Sequence, residues 1–184
     1  MPRPRLATDE AIIAASAEVL LREGMDRFTL AEVSRQVGLS RAALIARFEN
    51  RDGLMRRLSA RIREDLTRLE ATLPVTHKGP RHVLDFVQAL GRTMEIPLVL
   101  ADAETSRQVR EAILARLDEP SRRRGGEVAD LLMAVLRGAV AEAGKADVSA
   151  HVAGRLHLCL RLVYAGRPRE DDGALSAAPA ARDG

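Results

Sequence analysis

The sequence predicts an all-α protein. Apolar residues recur at spacings of three and four along most of the chain, which is the period of a helix with one buried face. No segment shows sustained two-residue alternation with β-branched enrichment, the pattern of a half-buried strand. Glycine and proline mark the breaks between the periodic segments, and residues that cap helices stand before several of them. We therefore expect helices throughout, joined by short turns.

The first two helices are predicted from their caps. One runs from Asp9 to Arg22, with Thr8 as its N-cap and Gly24 as its stop. The next opens at the capping box 29–32, in which the Thr29 hydroxyl accepts a backbone N–H and Glu32 reaches back toward the cap. It ends at the turn formed by residues 38–39.

A third, short helix follows that turn. Ser40 is its N-cap, and Leu44 and Phe48 lie on its inner side. Two short helices joined by a turn that contains glycine are typical of a helix-turn-helix motif. Asn50 then caps a long helix, predicted over residues 53–73, whose apolar stripe consists of Leu54, Leu58, Ile62, Leu66, Leu69 and Leu73.

The second half also reads as helices. After a connector at residues 74–80, the predicted segments are 81–94, 98–103, 106–117, 121–143 and 147–165. The last two carry more apolar residues than one buried face needs, so we expect them to pair with a second copy in a four-helix bundle. The composition of residues 166–184 predicts a disordered tail.

Composition excludes several functional classes. The 184 residues are 46% hydrophobic and 30% charged, with no apolar run long enough for a membrane span and no secretory signal, so we expect a cytoplasmic protein. One cysteine and four scattered histidines do not predict a metal site. With no phosphate-binding loop, nucleophile elbow or acid–base pair in the sequence, we expect neither an enzyme nor a cofactor.

The charge is concentrated in one window. Residues 35–63 contain eight arginines against Glu49 and Asp52, a balance of +6 in a chain whose net charge is +3. Such a block favours contact with a polyanion, although a solvated helix face would give the same pattern. Charge alone leaves both interpretations open.

The first third of the chain has a distinctive order and spacing of residues, given by Ile12-Ile13-Ala14-Ala15, Gly24, Phe28-Thr29, Val33, Val37-Gly38-Leu39-Ser40, Leu44, Phe48 and residues 50–54. In this order and spacing it resembles the TetR family of bacterial transcriptional regulators. The specific match covers residues 8–58. It implies an all-α homodimer that pairs a three-helix DNA-binding head, residues 1–52, with a ligand-binding and dimerisation body, residues 53–165. The helix at 53–73 would link the two, and the last two helices would form the dimer interface.

The resemblance also implies how the head contacts double-stranded DNA. The second helix of a helix-turn-helix enters the major groove with its N-terminal residues toward the bases. The residues expected to contact DNA are Thr29, Ser40, Arg41, Ala42, Ala43, Ile45, Arg47 and Arg51. We expect Arg41 to address guanine, Thr29 and Ser40 to meet phosphates and Arg51 to clamp the backbone, with Arg3 and Arg5 forming a basic arm.

The sequence departs from the usual residues of the family at three positions in this region. Ile45 stands where members usually carry a tyrosine whose hydroxyl meets a phosphate. Arg51 replaces a common lysine and keeps its charge, and Leu30 stands where threonine or serine is frequent.

For the body, the resemblance implies a pocket for a small-molecule effector. Its expected lining is Phe86, Leu90, Met94, Leu98, Val109, Ile113 and Leu132, although each residue could equally pack the core. Scarce aromatic rings favour a small or aliphatic ligand. We therefore expect a repressor that an effector releases from a palindromic operator. The alternative is a dimeric protein-interaction module of the same fold with weak or lost operator specificity.

Overall fold

A computed structural model describes residues 7–119, 122–143 and 148–165. Over these ranges the chain forms nine helices and no strand, which confirms the predicted all-α class. The helices are α1 (Asp9–Glu23), α2 (Leu30–Val37), α3 (Arg41–Phe48), α4 (Arg51–Thr72), α5 (Pro80–Thr93), α6 (Ile96–Ala101), α7 (Ala103–Arg116), α8 (Arg122–Ala143) and α9 (Val148–Val163). Arg3, Arg5 and the predicted tail lie outside the described residues.

The N-terminal caps form as predicted. The side chains of Thr8, Thr29, Ser40 and Asn50 accept hydrogen bonds from backbone N–H groups three residues on, at 3.2, 3.2, 3.1 and 2.8 Å. These bonds satisfy donors that the first helical turn leaves unpaired. The carboxylate of Glu32 pairs with Arg35 within the same helix, so the half of the capping box assigned to Glu32 is replaced by an ion pair.

Two helices begin earlier than the apolar pattern predicted. α6 starts at Ile96 rather than Leu98, with Pro97 in its first turn, where a missing N–H costs nothing. α7 starts at Ala103 rather than Ser106 because Asp102 is its N-cap. The Asp102 carboxylate accepts from the backbone N–H of Thr105 at 2.8 Å and from its hydroxyl at 2.7 Å. The polar, capped first turn of α7 thus lies before its apolar stripe, whereas α6 is extended by the buried Ile96 and by Pro97.

Two clusters of buried apolar side chains hold the helices together. The head core consists of residues from α1 to the first half of α4, among them Ile12, Phe28, Leu44 and Leu54, together with Leu98 from α6. The body core consists of the remainder of α4 and residues from α5 to α9. Ile62 is partly buried and packs against both cores, so α4 is shared between them.

A buried arginine joins three elements of the body. Arg116, 5% exposed at the end of α7, donates to the carbonyl of Leu73 at 2.6 Å and to that of Ala112 at 2.8 Å. Its guanidinium carbon lies 4.3 Å from the centre of the Phe86 ring in α5. Burial lowers the pKa of Arg116, but the two carbonyls and the ring face each favour its charged form. The contacts fix the end of α4 against α5 and α7.

None of the helices described here is both long enough and apolar enough to cross a bilayer. Within the same residues, no group of three or more histidine, cysteine, aspartate or glutamate side chains converges as a metal site would require.

Candidate DNA-binding interface

The turn between α2 and α3 depends on one glycine. Gly38 has φ 67° and ψ 28°, a left-handed conformation, and its N–H donates to the Ser34 carbonyl to close α2. An added Cβ would meet no atom within 4 Å, so glycine is favoured here by the backbone angle and not by lack of space. Leu39 donates to the same Ser34 carbonyl at 3.1 Å, and α3 starts two residues later.

α3 has a buried face and a free face. Leu44 and Phe48 enter the head core at 0% and 4% exposure. The opposite face is exposed and carries small or apolar side chains next to the arginine that begins the helix. It consists of Arg41, Ala42, Ile45 and Ala46, with Ala43 half-buried at its edge. Small residues on such a face let a helix backbone approach the floor of a DNA groove closely.

Arg41 differs from the other arginines near α3 in its partners. Arg47 donates to the Ala7 carbonyl at 2.5 Å and lies 3.4 Å from Asp9, and Arg35 pairs with Glu32. Arg41 is exposed and has no hydrogen bond or ion pair within the part of the chain that the structure describes. Of the two arginines on α3, Arg41 is thus the one whose N–H groups are available to an acceptor outside the protein.

Arg51 is held inside the protein. Its Nε donates to the Phe28 carbonyl at 3.0 Å and its Nη2 to the Met25 carbonyl at 2.8 Å, while the guanidinium lies 5.6 Å from the Phe28 ring. The side chain is still 41% exposed. These contacts give Arg51 a second role that the sequence reading missed, which is to fix the segment between α1 and α2. The same applies to Arg47, which tethers the start of α1 to α3.

The two hydroxyl residues lie at the N-termini of the motif's helices. Thr29 and Ser40 are both exposed, and each is occupied as a cap acceptor. Capping uses the oxygen lone pairs and leaves the hydroxyl hydrogen available to donate. Both residues can therefore cap a helix and bond a phosphate oxygen at the same time.

This geometry coincides with a family match. Residues 12–58 match the model described as bacterial regulatory proteins, tetR family. This segment is thus similar to the DNA-binding region of TetR-family regulators. The TetR match runs from the first turn of α1 into the first half of α4, so it contains the helix-turn-helix of α2 and α3 and nearly all of the head core. No curated protein matches the sequence.

The residues expected to line an effector pocket are placed differently. Phe86, Leu90, Val109, Ile113 and Leu132 are at most 1% exposed and pack together in the body core. Met94 is half-buried against that core, and Leu98 belongs to the head core. The packed-core interpretation therefore describes most of the set. The helical period identified buried positions correctly, but it cannot distinguish a packed interior from a cavity wall.

Two open grooves border α6 instead. One, of about 490 Å³, lies between the head and α6 and includes Met55, Arg63 and Leu98. The other, of about 470 Å³, lies between α6, α7 and α8 and includes Leu100, Ser106, Met133 and Arg137. Of these residues, only Leu98 was assigned to a ligand site from the sequence. The sequence signal available for the second groove was a set of polar residues at helical spacing on α7, with Arg110 three positions after Arg107 and four after Ser106.

Proposed function

We propose that this protein is a sequence-specific, ligand-responsive transcriptional regulator, most simply a cytoplasmic repressor released from a palindromic operator by a small molecule. The observation that carries the proposal is the free face of α3. It combines an unpartnered Arg41 in the first turn with small side chains behind it, on a helix held by two caps and the head core.

In the proposed complex α3 lies in the major groove. The planar guanidinium of Arg41 donates two hydrogen bonds to O6 and N7 of a guanine, a pairing that distinguishes G·C from the other base pairs. Ala42 and Ala43 offer apolar contact to thymine methyl groups, and Ile45 offers apolar contact to the sugar–phosphate backbone beside them. Thr29, Ser40 and the exposed part of Arg51 meet phosphates and fix the register of the helix, and Arg47 reaches the backbone nearby.

The proposed operator is palindromic because the protein is proposed to be a dimer. Leu131 of α8 and Leu158 and Leu162 of α9 are 46%, 55% and 70% exposed, on two helices that pack along each other. Burying such side chains against a twofold mate gives a four-helix bundle, and the two heads then read half-sites about one helical turn apart.

The proposed response to ligand uses α6. This helix packs against α1, α7 and α8, placing Leu98 in the head core and Ile96 and Val99 in the body core. An effector that binds more tightly to one position of α6 than to another shifts the protein toward the matching orientation of the heads. Differential affinity for two states is the only way in which a ligand can achieve this.

The test is selection of bound fragments from a random duplex pool at near-physiological salt. We expect an enriched palindrome. Arg41→Ala should lose about 1–3 kcal/mol of binding free energy and relax the preference at one position of each half-site. Arg57→Ala is the matched control, because Arg57 is an exposed arginine of α4 without a partner in the described residues.

The control removes the same charge but should leave the selected sequence unchanged. Sequence-blind binding by the wild type would overturn the regulator proposal in favour of a protein-interaction module. An unchanged base preference in Arg41→Ala would overturn the role given to that residue.

A further inference from the structure

The groove between α6, α7 and α8 is built from opposed surfaces. Leu100 lines it from α6 and Met133 from α8, and Met133 is only 3% exposed. Arg107 and Arg110 of α7 and Arg137 of α8 bring three guanidinium groups to it, against the single carboxylate of Asp130. The groove is therefore apolar on part of its wall and positively charged on the rest.

That single carboxylate is already bound. Asp130 accepts from Arg110 through both oxygens, at 2.6 Å to Nε and 3.2 Å to Nη2. The hydrogen bond from Arg110 lowers the pKa of Asp130, so the pair stays ionised at neutral pH. Arg107 pairs with Glu104, one turn earlier on α7. Two of the three guanidinium groups are thus neutralised within the protein.

Arg137 is the remaining cation. Its Nη2 donates to the Ser106 hydroxyl at 2.9 Å, and in the described ranges no carboxylate lies within ion-pair distance of it. Ser106 is 4% exposed, so this bond fixes the Arg137 guanidinium to a buried residue of the groove. A guanidinium has five N–H donors, in a plane that matches the two oxygens of a carboxylate. Most of those donors remain free on Arg137.

The size and the lining restrict the ligand. A volume of about 470 Å³ falls within the range of ligand sites, roughly 300–1,000 Å³. The groove offers one free cation beside an apolar wall, so it suits an amphiphilic monoanion better than a highly charged ligand or a neutral hydrocarbon. Two parallel N–H···O bonds favour a planar anion.

We propose that this groove binds a small organic carboxylate, with its carboxylate on Arg137 and its apolar part against Leu100 and Met133. The role of this ligand as the effector rests on the proposed function. The binding of a carboxylate to the groove does not depend on that function. A ligand against Leu100 contacts the helix that places Leu98 in the head core.

The test measures binding to the full chain without DNA, by calorimetric titration. The probes are straight-chain carboxylates of four to ten carbons and benzoate, each paired with its neutral amide. At least one carboxylate should saturate a single site and bind at least tenfold more tightly than its amide. Arg137→Gln should weaken that carboxylate at least tenfold and leave the amide unchanged.

Arg123→Gln is the matched control, because Arg123 lies on the same helix, is 91% exposed and is absent from the groove. Circular dichroism shows whether each variant is folded, and Arg137→Lys, which keeps the charge but not the planar fork, should recover only part of the binding. The proposal is overturned if no carboxylate of the series binds, if acids and amides bind alike, or if Arg137→Gln binds as the wild type does. Operator selection proceeds without these ligands, so failure here leaves the DNA-binding proposal standing.

Discussion

Arg51 donates from Nε to the carbonyl of Phe28 at 3.0 Å while its guanidinium lies 5.6 Å from the Phe28 ring. A second donor of the same group binds the Met25 carbonyl at 2.8 Å. The first residue of α4 therefore holds the segment that leads into Thr29, the N-cap of α2. A residue expected only to touch DNA also shapes the domain that presents α3.

Replacing Arg51 by alanine should destabilise the head. Two hydrogen bonds to backbone carbonyls and one cation–π contact disappear, which at a partly exposed site costs about 1–2 kcal/mol. Denaturant unfolding measures the loss. Arg57→Ala, which removes an arginine of the same helix, should stay within about 0.5 kcal/mol of the wild type. An Arg51→Ala variant as stable as the wild type would show that these contacts contribute nothing measurable.

Introducing tyrosine at position 45 should strengthen DNA binding without changing its specificity. Ile45 is 41% exposed on the free face of α3, so a larger ring enters no packed space. The added hydroxyl can donate to a phosphate, worth about 0.5–1.5 kcal/mol on all sequences. A neutral donor releases no counterion, so the salt dependence should stay unchanged.

Fluorescence anisotropy with specific and unrelated duplexes measures both quantities. Ile45→Phe supplies the ring without the hydroxyl and is the control. Equal gains for phenylalanine and tyrosine would assign the effect to apolar contact and contradict a phosphate hydrogen bond.

Charged residues on the outer face of α9 should separate the proposed dimer. The double variant Leu158→Glu/Leu162→Glu places two carboxylates where each leucine would contribute about 1.5–3 kcal/mol of apolar burial. We expect the dimer dissociation constant to rise at least about 100-fold, measured by sedimentation equilibrium. Leu21→Glu introduces one such carboxylate at a leucine of α1 that is 40% exposed, and it should leave the oligomeric state unchanged. A wild-type monomer at micromolar concentration would refute the dimer.

The stability contribution of Asp102 should disappear in acid. Burial raises the pKa of this carboxyl, but hydrogen bonds from Thr105 and Ser59 and the charge of Arg63 outweigh burial and lower it below 3.8. A carboxyl with a lowered pKa stabilises the fold above its ordinary value, and the contribution is lost as pH falls through the folded-state pKa. Asp102→Asn should thus be less stable than the wild type by about 1 kcal/mol at pH 5–7, with the difference closing below pH 4. Urea unfolding at several pH values checks this, and a constant difference down to pH 3 would contradict it.

Local signals in the sequence predicted the head well. Helix starts are predicted by Thr29, Ser40 and Asn50, because the side chain of each accepts a hydrogen bond from a backbone N–H only three residues away. The turn is predicted by Gly38, because its own left-handed backbone conformation favours glycine. The family resemblance in residues 8–58 was confirmed by the match at 12–58. Helix caps, a glycine turn and a compact sequence motif can all be predicted without knowledge of the tertiary contacts.

The contacts between distant residues could not be read in the same way. Nothing local indicates that Arg51 bonds Met25, that Arg137 meets Ser106 across 31 positions, or that Arg116 stacks on Phe86. The residues predicted to line a pocket illustrate the same point, because most of them are packed in the body core. A buried apolar residue such as Ile113 fits the helical pattern equally well whether its side chain faces another side chain or a cavity. Only the packing of the neighbouring helices decides which of the two it faces.

Leu98 couples the unfolding of the head to that of the body. It comes from α6, forty residues beyond Leu58, yet it is 7% exposed within the head core. A fragment that ends before α5 would expose the apolar surface that Leu98 covers and lose part of its own interior. The DNA-binding region and the remainder are thus expected to melt in a single cooperative transition, with no temperature at which one half stays folded after the other has gone.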